Sequence, residues 1–381
     1  MKRILTILVC LALLSGCGAK QAVSLSSAAS ETQSERAYTP AFYETEWSAD
    51  VTMVSNGSEI AAMADPDDKN YAGTLFRISA DSNAFSMEEI ADFPDYTEPA
   101  LWGMDSDGSL WLSGVKNDAC FLLHTDPTGN IQMQRNLNEQ GDIYAVRSFA
   151  CDDDYVYLTA ECARESTLGI RDAYDALFVY KKSGEFVTSK YFEEIKAETL
   201  GFLDVEEDWM DDLDTEESLP GELFAGQIKD NYRFVTLSNQ AVGLLIERRA
   251  PIGTETYHIL CNVTPGTLEV TPKFGYEVEV SETLVMNFPI PGAKTNYDLL
   301  VWESRGIYGV SMDAQEYVQV ESWTELSTDD EPMSMDNLNQ SAVGLSDGCL
   351  VFERYNGYTG KYSFAVLTPT AAADHSAADS Q

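Results

Sequence analysis

The chain has 381 residues, of which 63 are acidic and 24 basic, so its formal net charge at pH 7 is −39. Nucleic acid is excluded as a partner, because binding to phosphates needs clustered Lys and Arg residues. A charge of this size favours solubility in a crowded surface layer, and attraction to a basic partner or to calcium is the alternative.

Lys2 and Arg3 are followed by an apolar run that ends at Leu14. The run is shorter than the roughly 20 apolar residues of a transmembrane helix, and its composition is typical of a secretory signal. The sequence Leu-Ser-Gly-Cys that ends at Cys17 resembles the lipobox of bacterial lipoproteins. This resemblance implies cleavage after residue 16, acyl chains on Cys17 and an extracytoplasmic protein anchored to the cell membrane.

Both flanks of the chain are poor in large apolar residues. Residues 17–40 comprise the lipidated Cys17 and a segment rich in Ala, Ser and Gln, which predicts a flexible linker. Residues 370–381 are mostly Ala, Ser and Asp, and they predict a disordered tail. We therefore expect one folded domain over residues 41–369.

That domain consists of short alternating apolar runs separated by turn residues, which predicts an all-β fold. Residues 101–136 are typical: four strand-like runs are joined by tight turns such as Asp105-Ser-Asp-Gly and Asp126-Pro-Thr-Gly-Asn. The pattern recurs in the following segment, where Asp153 takes the place of Asp107 after 46 residues. Gly and Asn suit these turns because they tolerate positive φ angles.

Four strands in each unit, with a spacing in the forties, are typical of β-propeller blades. We predict a single β-propeller of six to eight four-stranded antiparallel blades, preceded by the lipoprotein signal peptide and the flexible spacer. A pair of β-sandwich domains is the rival interpretation. The recurring order of turn, strand, loop, strand and turn favours the propeller.

Two sequence segments are similar to those of a known group of proteins. They are Asp105-Ser-Asp-Gly-Ser-Leu-Trp-Leu and the segment that runs from Tyr297 to Val310. They resemble blades of bacterial surface propellers, including propeller lipoproteins of anaerobic Firmicutes. Some of those proteins carry a solute-binding domain after the propeller, and this sequence shows none. The resemblance therefore implies, at most, an accessory role in solute uptake.

Oxygen-rich loops are the candidate metal sites. Asp65, Asp67 and Asp68 lie in one such loop, and calcium is the cation that several converging oxygens would suit. The alternative is an ordinary solvated loop, which is also the simpler interpretation of the acidic run from Asp204 to Glu217. We expect no other cofactor.

Aromatic residues near the predicted channel are the candidate ligand-binding residues, because an aromatic ring can stack on a sugar. Trp102, Tyr355 and Tyr358 are selected on this basis. The competing interpretation is that they fill the spaces between blades, as we expect for Trp111.

No catalytic residue is predicted. The pattern GxSxG at residues 344–348 runs into a strand, whereas a nucleophile elbow needs a helix there. His124 and His258 are isolated in the sequence, and so many acidic residues prevent the recognition of a catalytic pair.

The sequence favours a non-enzymatic binding or scaffolding module at the cell surface, with a protein or glycan as its partner. The alternative is a propeller-fold polysaccharide hydrolase or lyase, and a structural subunit of an envelope complex is a third option. A hydrolase would show a pair of acidic residues in the channel mouth, one of them with a raised pKa.

Overall fold

The fold was determined as a computed structural model. The described parts of the chain are residues 37–45, 50–64, 73–80, 84–165, 171–206, 228–250, 256–278, 288–327, 333–334, 338–356 and 360–370. The predicted signal peptide, Cys17 and most of the predicted linker and tail lie outside these ranges. No helix among the described residues is long and apolar enough to cross a membrane.

Each predicted repeat folds into a four-stranded antiparallel sheet, and the described residues form six such sheets. The protein is therefore an all-β propeller of six blades, as the sequence predicted. The first strand, β1 (Tyr38–Glu44), belongs to the last blade. The strands of the first three blades are β2 (Val51–Ser55), β3 (Ile60–Ala64), β4 (Thr74–Ala80), β5 (Phe85–Asp92), β6 (Thr97–Met104), β7 (Leu110–Lys116), β8 (Ala119–Thr125), β9 (Ile131–Asn136), β10 (Asp142–Cys151), β11 (Tyr155–Glu165), β12 (Arg171–Lys181) and β13 (Phe186–Tyr191).

The remaining strands are β14 (Lys229–Thr236), β15 (Val242–Arg249), β16 (Thr256–Val263), β17 (Val270–Glu277), β18 (Phe288–Pro289), β19 (Leu299–Glu303), β20 (Gly306–Ser311), β21 (Glu316–Ser322), β22 (Leu338–Gly344), β23 (Leu350–Asn356) and β24 (Lys361–Pro369). Blades 1 to 5 use β2–β5, β6–β9, β10–β13, β14–β17 and β18–β21, and blade 6 uses β22–β24 with β1. Short helices occupy Leu137–Glu139, Phe192–Thr199 and Trp323–Leu326.

The predicted turns form the hairpins within the blades. In the turn after β6, the backbone N–H of Asp105 donates to the carbonyl of Ser109 at 2.8 Å, and Gly108 has a φ of +86°. A residue with a Cβ would be strained at that φ angle, which explains the glycine.

The hydrophobic core is divided into six clusters, each of which lies between two neighbouring blades. Trp111 is fully buried in the cluster between blades 2 and 3, as predicted, and Trp302 is buried in the cluster between blades 5 and 6. A single blade cannot bury both of its faces, so the ring must close for the fold to be stable.

The N-terminal strand closes the ring. β1 pairs with β24 in antiparallel register, from Tyr38 opposite Pro369 to Glu44 opposite Ser363. The backbone N–H of Tyr38 also donates to Glu321 of blade 5 at 3.0 Å. The first and last strands of the propeller are thus held together, and the outer edge of blade 6 is covered.

Candidate functional site

The innermost strand of every blade faces a central channel with a volume of about 1040 Å³. A cavity of this size accommodates an extended small molecule or several sugar units. We call the end at which the innermost strands begin the proximal end, and the end at which they finish the distal end.

The innermost strands of blades 2 and 3 are interrupted by β-bulges, and the extra residues of these bulges line the channel. Glu98 and Pro99 together oppose one residue of β7, and Trp102 is an extra residue farther along β6. Tyr144 and Arg147 are the extra residues of β10. Bulges often turn side chains towards active sites, and here they present an acid, two aromatic rings and a guanidinium to the channel.

Glu98 has an unusual backbone conformation for a non-glycine residue, with a φ of +52°. A non-glycine residue in the left-handed region is strained, and the following Pro99 normally favours an extended conformation. The Glu98 side chain is exposed at the proximal end. Backbone strain that presents an exposed carboxylate to a cavity is typical of functional sites.

Trp102 is fixed in the channel wall by its neighbour on β7. Its indole N–H donates to the hydroxyl of Ser113 at 2.8 Å, and the residue is only partly buried. The bond fixes the plane of the ring, so the ring can act as a platform for a ligand.

The two bulged residues of β10 bind the same carboxylate. The hydroxyl of Tyr144 donates to Glu161 at 2.5 Å, and the guanidinium of Arg147 forms an ion pair with the other oxygen of Glu161. Tyr144 is 41% exposed, which is high for a large side chain. Glu161 therefore holds both residues at the channel wall.

The seam between blades 6 and 1 contributes two further carboxylates. Glu353 is buried, and one of its oxygens accepts a hydrogen bond from the backbone N–H of Val51 at 2.9 Å. Asp50, which directly precedes Val51 in the sequence, is exposed and contacts the hydroxyl of Tyr362. The pKa of Tyr362 is raised by burial and by this contact.

Blades 4 and 5 contribute a cationic and aromatic part of the wall. The guanidinium of Arg233 lies 5.8 Å from the centre of the Phe288 ring, and that ring stacks on Trp302 at 4.7 Å. Burial lowers the pKa of Arg233, whereas the charge of Glu247 raises it.

At the distal end, Asp105 is held by side chains of three elements. Its carboxylate accepts hydrogen bonds from Lys182 at 2.8 Å and from Trp111 at 3.1 Å, and it contacts the His124 ring at 3.1 Å. Burial alone would raise the pKa of Asp105, but its bonds with His124 and Lys182 and the Lys182 charge lower it to about 2. Asp105 is therefore a structural anion.

Asp152 has an equivalent role in blade 3. It accepts backbone hydrogen bonds from Asp154 at 2.9 Å and Tyr155 at 2.7 Å, and a bond from the Tyr157 hydroxyl at 2.7 Å. Its carboxylate thus shapes the turn between β10 and β11 and connects to the second strand of its blade, as Asp105 does in blade 2.

A second cavity of about 540 Å³ lies between blades 3 and 4, and its wall includes Tyr174, Asp175 and Tyr191. Asp175 is opposite Glu161 in the register of β11 and β12. The pKa of Asp175 is raised by burial and by Glu193, although Arg147 lowers it. A carboxyl group with a raised pKa therefore lies next to the channel wall and not in the channel mouth.

The structure places the predicted ligand-binding residues in different surroundings. Trp102 lines the channel, whereas Tyr355 pairs with Tyr362 in blade 6, with ring centres 5.0 Å apart, and is not among the described lining residues. Tyr358 lies outside the described residues, as do the predicted calcium ligands Asp65, Asp67 and Asp68. The described part of the chain contains no group of three or more His, Cys, Asp or Glu side chains placed to hold a metal ion.

The other motifs have structural roles. Residues 344–348 form a hairpin between β22 and β23, in which Asp347 accepts from the backbone N–H of Cys349 at 2.9 Å. His124 stacks on Trp111 at 4.2 Å, and His258 is buried in blade 4. Burial, with the charges of Arg233 and Arg249, lowers the pKa of His258 to about 3.

Sequence reasoning missed Glu98, Tyr144, Arg147, Arg233 and Glu353. A signal was present at two of them, because Arg233 and Glu353 are charged residues within apolar strand runs. The positions of Glu98, Tyr144 and Arg147 depend on bulges, and the alternation of residues along a strand does not reveal a bulge.

No protein-family model matches the chain, and no curated protein is similar to it in sequence. Among solved structures, the chain is similar to an α-L-arabinanase of Penicillium chrysogenum with 12% identity, covering 87% of this chain and 97% of that one, at a TM-score of 0.46. The α-L-arabinofuranosidase of Fusarium graminearum has 10% identity, with coverages of 88% and 98% and a TM-score of 0.47. A luciferin-regenerating enzyme has 9% identity, with coverages of 86% and 95% and a TM-score of 0.42.

The comparison corrects the preferred prediction of function. The preferred prediction was a non-enzymatic binding or scaffolding module, whereas the similar proteins named above are an arabinanase, an arabinofuranosidase and a luciferin-regenerating enzyme. They agree better with the alternative of a propeller-fold polysaccharide hydrolase. Likeness at these identities concerns the fold alone, so the activity must be argued from the channel.

Proposed function

We propose that the protein is a propeller-fold glycoside hydrolase that cleaves a polysaccharide or oligosaccharide at the proximal end of the channel. The observation that carries this proposal is the set of bulges in β6 and β10. These bulges present Glu98, Trp102, Tyr144 and Arg147 to a cavity of about 1040 Å³. An acid, flat aromatic surfaces and polar donors are the groups that a sugar site requires.

Hydrolysis of a glycosidic bond needs two carboxyl groups that flank the bond. We assign these roles to Glu98 of blade 2 and Glu353 of blade 6, which line the channel on either side of blade 1. Glu353 is fixed by the backbone N–H of Val51, whereas Glu98 is exposed on its bulge. One buried and one exposed carboxyl group have the different environments that separate an acid from a base.

The aromatic residues would position the sugar. Trp102 is fixed by Ser113, and Tyr144 is fixed by Glu161, so neither ring has to be ordered when the ligand binds. The apolar face of a sugar ring can lie on such a surface while its hydroxyl groups reach the carboxylates.

The solved structures guide the choice of the first substrates. The Fusarium enzyme is described in complex with arabinobiose, and so is the Penicillium arabinanase. Arabinan and arabino-oligosaccharides are therefore the first members of a polysaccharide panel.

The location of this activity is also a proposal. The lipobox resemblance at residues 14–17 supports a bacterial lipoprotein that is anchored through Cys17 on the outer side of the cell membrane, with a glycan of its surroundings as the partner. The proposed hydrolysis needs no cofactor. Calcium at Asp65, Asp67 and Asp68 would have a structural role.

The test is a hydrolysis assay with the detergent-solubilised full-length chain on the polysaccharide panel, in which released reducing ends are measured. Glu98→Gln and Glu353→Gln should each lower kcat/KM at least about 100-fold, because each removes a group that transfers a proton or bonds to the sugar. Glu88→Gln is the control, since Glu88 is an exposed acid on the outermost strand of blade 1.

Two outcomes would contradict the proposal. The unaltered chain could release no sugar from any substrate of the panel, or both channel variants could retain the activity of the Glu88→Gln control. In the second case the catalytic carboxylates would lie elsewhere, and Asp175→Asn would be examined next because the pKa of Asp175 is raised.

A further inference from the structure

Arg233 is the most unusual charge in the channel. It lies on β14, the innermost strand of blade 4, between the buried residues Tyr232 and Phe234. Among the described residues it has no hydrogen bond and no ion pair, and its guanidinium lies over the Phe288 ring. A largely desolvated charge without a partner is costly, which makes its presence in this position informative.

The other arginines of the described part of the chain show what is expected in such an acidic protein. Those that form ion pairs with carboxylates are Arg77, Arg135, Arg147, Arg248 and Arg249. The acid whose charge acts on Arg233 is Glu247, and that carboxylate is already bonded to Arg249 at 2.7 and 2.5 Å. The chain has 63 acidic residues, yet none of those that the structure describes forms an ion pair with the Arg233 guanidinium.

A second donor without a partner lies in the same wall. The ring N–H of Trp302 is buried and has no hydrogen-bond partner among the described groups. The Trp302 ring stacks on Phe288, the residue that also contacts Arg233. Two donors of this part of the wall therefore have no acceptor among the described residues, while Glu98 and Glu353 place carboxylates on the other side of the channel.

We propose that Arg233 binds a carboxylate of the substrate, so that the protein acts on a sugar chain that contains a uronic acid. This inference rests on the proposed function and specifies its substrate class. Arginine suits a planar carboxylate because its fork of N–H groups can donate two parallel hydrogen bonds. The guanidinium lies over the Phe288 ring, and its N–H groups have no hydrogen-bond partner among the described residues.

The net charge of −39 restricts the form of this substrate. A long polyanion would be repelled by the surface, but repulsion is screened beyond about 8 Å at physiological salt. A mostly neutral chain with an occasional uronate meets little repulsion and still reaches Arg233. We therefore expect short or sparsely acidic chains to bind, and densely charged polymers to bind poorly.

The test compares ligands that differ only in their carboxyl groups. Oligosaccharides from glucuronoarabinoxylan and a galacturonate trimer are each used in native form and after reduction of the carboxyl groups to alcohols. Binding to the full-length chain is measured by isothermal titration calorimetry. The native form of at least one pair should bind at least about tenfold more tightly than its reduced form, because the reduced form cannot form the charge-assisted bonds.

The variant Arg233→Gln should remove this preference, and Arg249→Gln should keep it. Arg249 has the same charge but lies on the surface, paired with Glu247. Equal binding of native and reduced ligands to the unaltered chain, or no binding of either, would overturn the inference, even if the Arg233 variant does not fold.

Failure of this inference is distinguishable from failure of the proposed function. Hydrolysis of neutral polysaccharides without any preference for native ligands would support the proposed hydrolase activity and contradict the binding of a uronic acid. Binding of native ligands through Arg233 without hydrolysis of any substrate would support the binding of a uronic acid and contradict the proposed hydrolase activity.

Discussion

Two acids at opposite ends of the same strand show how differently this protein uses its carboxylates. Glu98 lies near the beginning of β6, and Asp105 follows directly after its end. Asp105 accepts hydrogen bonds from Trp111 and Lys182 and contacts His124, whereas Glu98 is exposed on a strained bulge. Both residues line the channel, so their position in the fold alone does not separate structure from function.

The difference is one of hydrogen-bond partners. A carboxylate that is surrounded by donors is stabilised as an anion, so it does not readily accept a proton or exchange its hydrogen-bond partners for a ligand. A carboxylate that lacks such donors and is held by backbone strain remains available to a ligand. At the distal end Asp105 therefore links blades 2 and 3, and at the proximal end Glu98 is available for the proposed chemistry.

The largest expected effect in this comparison concerns the stability of the distal end. Asp105→Asn should lower the free energy of unfolding by about 2 kcal/mol at pH 6, because the charge that bonds to Lys182 and His124 is lost. The pKa of Asp105 is about 2 when folded and near 3.8 when unfolded, so this stabilisation is complete above pH 4 and is lost as the pH falls to 2.

Urea unfolding of the parent and the variant between pH 6 and pH 2 measures this effect. The two stability curves should converge at the acidic end. A constant gap between the curves at every pH would show that the charge of Asp105 is not the source of the stability.

A smaller effect of opposite sign is expected at the proximal end. Glu98→Gly should raise the free energy of unfolding by about 0.5–1 kcal/mol, since glycine adopts a φ of +52° without strain. The same variant should lose hydrolytic activity, because the carboxylate is gone. Thermal unfolding together with the hydrolysis assay measures both, and a destabilised variant would show that Glu98 has a structural role.

The smallest effect is expected for Asp153, an exposed acid at the distal end. Asp153→Asn should change the free energy of unfolding by less than about 0.5 kcal/mol and leave kcat/KM unchanged. This variant serves as the control for adding or removing a charge at the channel. A clear loss of activity would place part of the site at the distal end.

The hairpins were predictable from the sequence because each one depends on local residues. The turn that contains Asp105 and Gly108 is set by hydrogen bonds and a φ angle within a few residues. The closure of the ring was not predictable, because β1 and β24 are separated by more than 300 residues and neither strand contains a signal for the other.

The site was predictable only in part, for a related reason. Trp102 was selected as an aromatic residue near the channel, and it does line the channel. Glu98 and Arg147 depend on register shifts that the pairing of neighbouring strands determines. Arg233 has no partner among the described residues, and this is a property of the assembled wall, which no local pattern of residues describes.

The most direct test of the division between the two ends compares Glu98→Gln with Asp105→Asn in the same hydrolysis and unfolding experiments. Glu98→Gln should lose at least about 100-fold in kcat/KM and keep its stability within about 0.5 kcal/mol. Asp105→Asn should lose about 2 kcal/mol of stability and keep kcat/KM, measured at a temperature where it is folded. Loss of activity in the Asp105 variant together with retained activity in the Glu98 variant would contradict the account.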